Sequence, residues 1–458
     1  MQPPDRTDLA IIGAGPAGMA AALTAINTGA DVALLDEHAT PGGAVWRGLD
    51  GAKHHALAPD YPDGVSMLNR FSGAKLRHLC NATVWEVTRD RVITYSQDGT
   101  ARQIAARRII LATGALERPM PFPGWTLPGV LTVGAAQMML KSSGLTPPGP
   151  VVMAGCGPLL YLVATQLLRA GHPPAAIIDT TPKGNWRRAL RHLSLAPRLW
   201  SPIATGRGWQ QHLRRAGVTI FRNASNLRTL GDSQVTGLEF HARGKKESLT
   251  CATLLVHAGL TPNTQITRAL ELTHDWNETA MAWHPRTNHE GRTELDGIFI
   301  AGDGAGIAGA EAAVHSGRLA ALAALEGPEK ERQAEQKALA AHRAHRGFRE
   351  AAFAPAHEYL SPDDETIACR CENVTAGEIR RLIRQGCHDP NAVKSICRAG
   401  MGPCQGRYCG LTVSHLVAEE RGISPAEAGD FRIRSPIKPV TLRELAGLQI
   451  GGHDDGPE

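Results

Sequence analysis

Residues 8–37 read DLAIIGAGPAGMAAALTAINTGADVALLDE, and this stretch decides the fold class of the chain. An apolar run predicts a strand, and the alanine-rich run after the glycines predicts a helix. Gly13 permits the tight turn between them, Gly15 lets a pyrophosphate approach the backbone, and Gly18 lets helix and strand pack closely. Asp36 ends the next predicted strand, where a carboxylate can accept a hydrogen bond from a ribose hydroxyl. The stretch therefore predicts a βαβ dinucleotide-binding unit in an α/β protein.

Residues 150–180, PVVMAGCGPLLYLVATQLLRAGHPPAAIIDT, repeat this layout. Gly155 and Gly157 match the first two glycines, and Asp179 parallels the acid of the first unit. Leu160 replaces the third glycine and must either be repacked or push the helix outward. Forcing it in would cost roughly 1–3 kcal/mol, so we expect a displaced helix and an altered phosphate cradle. Three interpretations stay open: NAD(P)H with a shifted pyrophosphate, a smaller adenine nucleotide or another ligand, or a plugged pocket. The acid argues against a 2′-phosphate, so NADP is the least favoured form.

Two distant segments favour FAD at the first unit. IILATGALERP (109–119) and LDGIFIAGDGAG (295–306) both predict strands that end in glycine turns. They resemble the flavin-contacting segments of the thioredoxin-reductase and glutathione-reductase superfamily, and that resemblance implies that Asp303 holds the ribityl–pyrophosphate region. The predicted FAD-binding residues are Gly13, Gly15, Pro16, Ala17, Gly18, Asp36, Glu37, Gly42, Gly43, Arg47, Ala112, Thr113, Gly114, Gly302 and Asp303. The predicted residues of the second nucleotide site are Gly155, Gly157, Pro158, Leu159 and Asp179.

Composition narrows the class of protein. A length of 458 residues predicts two to four domains, and a net charge of +5 gives little reason to expect a nucleic-acid partner. No stretch approaches 18 uninterrupted apolar residues, so no transmembrane segment is predicted. The N-terminus lacks the pattern of a signal peptide, which predicts a cytoplasmic location where disulfides are disfavoured. The nine cysteines therefore need another explanation, and six of them lie within residues 369–409.

Four of these cysteines predict a metal centre. Cys369 and Cys371 form a C-x-C pair, whose side chains project to one face in an extended segment, and Cys404 and Cys409 form a C-x4-C pair. The glycine-rich loop around the second pair can direct N–H groups at sulfur, as iron–sulfur clusters require. The spacing resembles the bacterioferritin-associated-ferredoxin type of [2Fe–2S] domain, although its second pair is wider here. Tetrahedral zinc and free cysteines are the alternatives.

The residues around this cluster predict supporting elements. Between the pairs, a helix is expected to begin after Thr375 and to end near Gly386, and Cys387 and Cys397 are expected not to be ligands. Residues 326–350 predict a charged, solvated helix that connects the flavin part to the cluster domain. The C-terminal tail is expected to pack over a surface of this chain or of a partner.

The sequence predicts six consecutive segments. They comprise the first part of an FAD-binding domain (1–149), an inserted second nucleotide-binding domain (150–262), the second part of the FAD-binding domain (263–327), a helical linker (328–362), a small helical [2Fe–2S] domain (363–422) and a tail (423–458). The fold class is thus α/β with two Rossmann-like domains and a helical cluster domain.

The ordered motifs resemble one family along nearly the whole chain. GAGPAG, ERPMPFPGWTLPGV (117–130), GCGPLL, HAGLTPNT (257–264), GDGAGIAGAEAA and CRCENVT…RAGMGPCQGRYC together resemble the alpha subunit of heteromeric FAD-dependent amino-acid dehydrogenases. That family includes opine oxidases, hydroxyproline dehydrogenases and hydrogen cyanide synthase. The resemblance implies that a flavin-bearing beta subunit, similar to D-amino-acid and sarcosine oxidases, oxidises the substrate while this chain relays electrons. It also implies an FMN between subunits, ATP or another adenine nucleotide in the second site, and a small ferredoxin-like third subunit.

No general base or substrate pocket is evident in the sequence, so no catalytic residue is assigned, which fits a relay role. The alternative function is a self-contained NAD(P)H-dependent reductase that passes electrons through FAD to the cluster. A third possibility, outside enzymes, is a scaffold that bears zinc or a cluster and assembles a partner.

Overall fold

The computed structural model describes residues 4–49 and 57–448, without the side chains of 58 and 193–203. In chain order the strands are β1 (Asp5–Ile12), β2 (Val32–Leu35), β3 (Arg77–Leu79), β4 (Thr83–Val87), β5 (Val92–Gln97), β6 (Thr100–Leu111), β7 (Ala115–Glu117), β8 (Val130–Thr132), β9 (Val151–Gly155), β10 (Ala176–Asp179), β11 (Thr219–Arg222), β12 (Ser225–Leu230), β13 (Gly237–Ala242), β14 (Lys245–Thr250), β15 (Thr253–His257), β16 (Leu260–Pro262), β17 (His274–Asn277), β18 (Ala282–Pro285), β19 (Ile298–Ile300), β20 (Ile367–Cys369) and β21 (Val374–Thr375).

Helices flank these strands and form most of the C-terminal part. They are α1 (Pro16–Ile26), α2 (Gly43–Trp46), α3 (Pro62–Ser72), α4 (Val133–Ser143), α5 (Pro158–Arg169), α6 (Asn185–Ala189), α7 (Ala196–Arg215), α8 (Gln265–Ala269), α9 (Ala310–Ala324), α10 (Glu329–Arg343), α11 (Arg346–Ala352), α12 (Ala376–Arg384), α13 (Pro390–Cys397), α14 (Gly410–Arg421), α15 (Pro425–Ala428) and α16 (Leu442–Gly447). In the described part of the chain, none of the helices is both long and apolar enough to span a bilayer.

The first nucleotide-binding unit is a seven-stranded sheet. Its order is β3-β2-β1-β6-β5-β4, and β19 pairs with the C-terminal half of β6. The strands β1, β2, β3, β6 and β19 run parallel, so their carboxyl ends meet at one edge, where the predicted glycine turns lie. Strand β19 returns to this sheet after the second unit, so the first sheet is built from two segments that are separated in the sequence.

The second unit is a five-stranded parallel sheet in the order β11-β10-β9-β15-β8. Strand β8 pairs with β15 although it precedes residue 150, and α4 follows it directly. The predicted start of the second domain at residue 150 is therefore too late, because an early strand of three residues carries no distinctive pattern. The two units are joined by the two-stranded ribbon of β7 and β16.

The charged connector differs from its prediction. It forms two helices, α10 and α11, with a break at residues 344–345 rather than one continuous helix. It is also packed rather than simply solvated: Leu339 is buried against α9, and Phe348, Ala351 and Ala352 are buried in a cluster with Ala189 of α6. Composition alone did not predict this, since the apolar face is narrow within a highly charged sequence.

The C-terminal domain shares a hydrophobic core with the first sheet. One continuous cluster joins Ile109 and Ile298 of the sheet to Ile379, Val413 and Leu416 of α12 and α14. The predicted caps of α12 are confirmed, because the Thr375 hydroxyl accepts a hydrogen bond from the Glu378 amide and Gly386 follows with a positive φ. The domain is therefore a fixed part of the molecule.

The tail packs on this chain, as one of the two predicted possibilities allowed. Phe431 is buried against the cluster loop, so a Cβ at Gly406 would lie 2.6 Å from its ring. The Ile437 amide donates to the Trp85 carbonyl at 2.9 Å, and Lys438 forms an ion pair with Glu37. The final residues of the predicted tail, 449–458, lie outside the described residues.

Candidate functional site

The first glycine turn forms a cradle at the carboxyl edge of the first sheet. A Cβ at Gly18 would lie 1.8 Å from the Gly13 carbonyl oxygen, so α1 packs against the turn at a distance that only glycine permits. Gly15 differs, because a Cβ there would meet only the Gly43 Cα at 3.8 Å. The space above Gly15 is thus open toward the start of α1, where backbone N–H groups and the helix dipole favour phosphate. The cradle fits the pyrophosphate of a dinucleotide.

The acid of the first unit is ionised and oriented by backbone. Asp36 accepts hydrogen bonds from the Ala14 amide at 2.5 Å and from the His38 amide at 2.8 Å. Burial raises the pKa of Asp36, but the hydrogen bonds from His38 and Ala14 outweigh it and lower the pKa overall. Arg47 lies close enough to interact with this carboxylate, and its Nε has no partner among the described residues. Glu37, in contrast, is engaged by Lys438.

The segments predicted to face the flavin meet on the other side of the cradle. A Cβ at Gly304 would lie 3.2 Å from Thr113 Oγ1, so the strand ends of β6 and β19 adjoin. Asp303 accepts hydrogen bonds from the amides of Ala308 at 2.7 Å and Gly309 at 3.0 Å, immediately before α9. The structure thus brings the predicted segments 13–18, 36–47, 112–114 and 302–303 together at one sheet edge.

The sequence analysis did not identify Lys141, whose side chain contacts the segment beside this cradle. Its side chain is fully buried, and its ammonium group donates to the carbonyls of Ala44 at 3.3 Å and Val45 at 2.9 Å. It also lies 4.6 Å from the centre of the Tyr61 ring. A single lysine within the apolar helix α4 was the available signal. Lys141 therefore holds helix α2, which lies between Gly42 and Arg47.

Burial lowers the pKa of Lys141 from 10.5 to about 7, and this predicts a pH-dependent stability. Between pH 7 and pH 10.5 the unfolded chain binds a proton that the folded chain does not, so stability rises with pH. We expect wild type to gain stability relative to Lys141→Met over this window, by at most about 5 kcal/mol. Urea midpoints at pH 7 and pH 9.5 measure the effect. Lys75→Met removes an exposed lysine and keeps Lys141, so its stability should rise with pH as that of wild type does. Equal pH dependence in wild type and Lys141→Met would contradict the prediction.

The second glycine turn differs from the first in two ways. Gly157 has φ +98°, whereas Gly15 has φ −77°, so the two turns present their amides differently. Leu160 is completely buried in the hydrophobic core that α5 shares with the second sheet. Asp179 accepts a hydrogen bond from the Tyr161 hydroxyl at 2.5 Å, so a ribose would have to compete with a side chain of this chain. The turn is preserved, but it is not shaped like the dinucleotide cradle.

The four predicted cluster ligands lie together as two thiol pairs. Cys369 is hydrogen-bonded to Cys409, and Cys371 is hydrogen-bonded to Cys404. The hydrogen bond from Cys409, together with the amides of Gly400, Glu372 and Cys371, lowers the pKa of Cys369 to about 6 despite its burial. A thiolate surrounded by N–H donors fits an iron–sulfur ligand. Among the described residues, no three ligating side chains are placed around a single metal ion, so the thiols stand as two pairs, and a [2Fe–2S] cluster takes four cysteine ligands in all.

The remaining residues of the cluster region have other partners. Cys387 is buried in the core, and the Cys397 thiol donates to the Val393 carbonyl at 3.3 Å within α13. Arg398 pairs with Glu372 at 3.0 Å, and Arg407 donates to the Cys404 carbonyl at 3.1 Å. Arg398 and Arg407 therefore place guanidinium groups near the cluster loops.

The fold and the cradle define a flavoprotein of the pyridine nucleotide-disulphide oxidoreductase class. A family model of that description matches residues 7–317, and a model of the BFD-like [2Fe–2S] binding domain matches residues 367–419. The A subunit of opine oxidase from Agrobacterium tumefaciens (strain Ach5) is 42% identical to this chain, over 97% of this chain and 92% of its own length. The HcnB subunit of hydrogen cyanide synthase from Pseudomonas aeruginosa is 32% identical over 96% of this chain and 98% of its own. The chain belongs to the family that these opine oxidase and hydrogen cyanide synthase subunits form.

Solved structures agree on the fold. The L-proline dehydrogenase from P. horikoshii superposes with a TM-score of 0.72 at 20% identity, over 97% of this chain and 81% of that one. The thioredoxin reductase of T. acidophilum has a TM-score of 0.50 at 18% identity, over 70% of this chain and 98% of that one. The protein is therefore an oxidoreductase subunit that uses FAD and a [2Fe–2S] cluster, and it is part of a heteromeric flavin dehydrogenase.

Proposed function

We propose that this chain is the electron-transfer subunit of a heteromeric dehydrogenase that oxidises an amino acid, an imino acid or an opine in a partner beta subunit. The observation that carries the proposal is the combination of an open flavin cradle and four clustered thiols with a second turn whose acid is engaged by Tyr161. When bound, FAD supplies two-electron chemistry and the cluster supplies one-electron transfer. The chain's own residues bind these groups and hold them in one rigid body.

The finer assignments of cofactors and partners are also proposals. We infer that the 15 predicted residues of the cradle bind FAD, and that Cys369, Cys371, Cys404 and Cys409 bind the cluster. The family resemblance supports an additional FMN at a subunit interface, ATP or another adenine nucleotide at the second turn, and a small ferredoxin-like third subunit. The cytoplasmic location stays a prediction.

The test uses the tagged chain expressed with and without a candidate beta subunit. The complex should co-purify, and anaerobic addition of the right substrate from a panel of opines, imino acids and D-amino acids should bleach the flavin and cluster spectra. The isolated chain should not respond to this panel, and NADH should not bleach it rapidly. Rapid bleaching of the isolated chain by NADH would support the alternative reductase and overturn this proposal.

A further inference from the structure

A small cavity of about 50 Å³ lies between the ribbon of β7 and β16 and the cluster loop. Helix α8 lines the side of the ribbon, and the start of α14 lines the side of the cluster. The Asn263 amide, just before α8, donates to the Gly114 carbonyl at 3.0 Å, and Gly114 belongs to the turn that is predicted to face the flavin. The elements around this cavity therefore connect the FAD cradle with the four clustered thiols.

An ion pair joins the two sides of this cavity. Arg268 Nη2 on α8 lies 2.8 Å from Asp430 Oδ2 in the tail, and the two side chains are only 13% and 12% exposed. Arg268 is fixed on its own side, because its Nε donates to Thr264 Oγ1 at 3.0 Å and its guanidinium carbon lies 5.6 Å from the centre of the Trp283 ring. Water screens such an enclosed pair much less than a surface pair, so its charges act on their surroundings.

The carboxylate of this pair lies at the beginning of α14, whose first residue, Gly410, follows the proposed cluster ligand Cys409. A Cβ at Gly410 would lie 3.1 Å from Asp430 Oδ1. The same oxygen accepts a hydrogen bond from the Phe431 amide at 2.7 Å, and the Asp430 carbonyl accepts one from Asn391 Nδ2 at 3.2 Å. Asp430 is therefore held in one position beside the ligand set.

Two further cations lie near Asp430 and the thiols. Burial lowers the pKa of Lys394, and the negative charges of Cys409 and Asp430 oppose this shift, so the carboxylate and the thiolate act on one ammonium group. Arg407 lines the cavity and donates to the Cys404 carbonyl at 3.1 Å. Among the described residues that line the cavity, Asp430 is the only acid. It is therefore the negative charge that the protein places beside the cluster on this side.

We propose that Asp430 lowers the reduction potential of the [2Fe–2S] cluster, and that Arg268 fixes this carboxylate and offsets part of its charge. A negative charge beside a cluster makes the addition of an electron less favourable, and net charge is one of the determinants of cluster potentials. Asp430 tunes the cluster without binding it, and Arg268 is a positioning residue that acts through Asp430. The inference rests on the proposed function in one respect, namely that the four thiols hold this cluster. A lower potential makes the cluster a stronger donor to the acceptor of the relay.

The test is an anaerobic redox titration of the full-length, cofactor-loaded chain at pH 8, followed by electron paramagnetic resonance of the reduced cluster. Asp430→Asn, which keeps the shape of the side chain, should raise the equilibrium constant for cluster reduction about tenfold. Arg268→Gln should shift it in the opposite direction, because it leaves the carboxylate without its partner. The double variant should lie between the two single variants. Arg384→Gln is the matched control, since it removes a surface guanidinium that pairs with Glu420 away from the cavity and should not change the potential.

The outcomes separate a charge effect from a structural one. Opposite shifts in the two single variants, with iron and FAD per chain as in wild type, support the proposal, because loosened packing would admit water to the cluster in both. An unchanged or lowered potential in Asp430→Asn overturns it. Shifts of the same sign in both single variants, or loss of iron from Asp430→Asn, overturn it as well. Rapid bleaching of wild type by NADH would instead overturn the relay function and leave the measured potentials in place.

Discussion

Cys404→Ser should yield a folded chain that has lost its iron and its visible cluster absorption. Cys404 pairs with Cys371, and a [2Fe–2S] cluster needs four thiolates, so one hydroxyl in place of a thiol leaves an iron without its ligand. Iron analysis and the absorption spectrum of the purified chain measure the loss. FAD content should stay near that of wild type, because the cradle lies in a different domain.

Cys397→Ser is the matched control for this loss. Its thiol donates to a helix carbonyl, and a serine hydroxyl can donate in the same way, so iron should be retained. Full iron in Cys404→Ser, or iron lost only in Cys397→Ser, would show that the ligand set is wrong. Zinc in place of iron in the wild-type chain would show that the metal is wrong.

Gly15→Ala should lose FAD while the chain stays folded. A Cβ at Gly15 meets only Gly43 Cα at 3.8 Å, so the protein tolerates it, but the methyl group occupies the space left for the pyrophosphate. We expect less than about a tenth of the wild-type FAD content, because both the close approach and the amide hydrogen bonds are lost. Iron per chain and the urea midpoint should remain close to wild type.

Two further glycine variants test the interpretation. Gly18→Ala should lose FAD and also stability, roughly 1–3 kcal/mol, because its Cβ would lie 1.8 Å from the Gly13 carbonyl. Gly184→Ala, in a loop of the second unit with open space around it, should change neither. If Gly15→Ala keeps its flavin, the cradle is not the FAD site.

The sequence predicts those parts of the molecule that depend on local patterns. Gly13, Gly15 and Gly18 lie within six residues, so their turn, the helix after them and the strand before them follow from spacing alone. The same holds for Cys369 and Cys371, whose alternation in an extended segment is local, and for Thr375, whose cap is satisfied three residues later.

The sequence does not predict contacts between distant segments. Lys141 holds helix α2, which lies about a hundred residues earlier in the chain. Tyr161 donates a hydrogen bond to Asp179, an acid that the sequence pattern alone would leave free for a ribose. Arg349 reaches the second turn only because the connector breaks at residues 344–345 and folds back. Each of these contacts depends on how complete elements pack, and neither composition nor periodicity reports that packing.

The hydrophobic core that Ile109 and Ile298 share with Val413 and Leu416 has a consequence for electron delivery. Redox proteins whose carrier domain hangs on a loose tether can swing it between donor and acceptor, and their turnover then slows as the solvent becomes more viscous. Here such a swing would expose buried apolar surface and would therefore be costly. If this chain relays electrons as proposed, its acceptor must travel to the thiols, and the rate of electron delivery should depend on encounter between molecules rather than on motion inside this one.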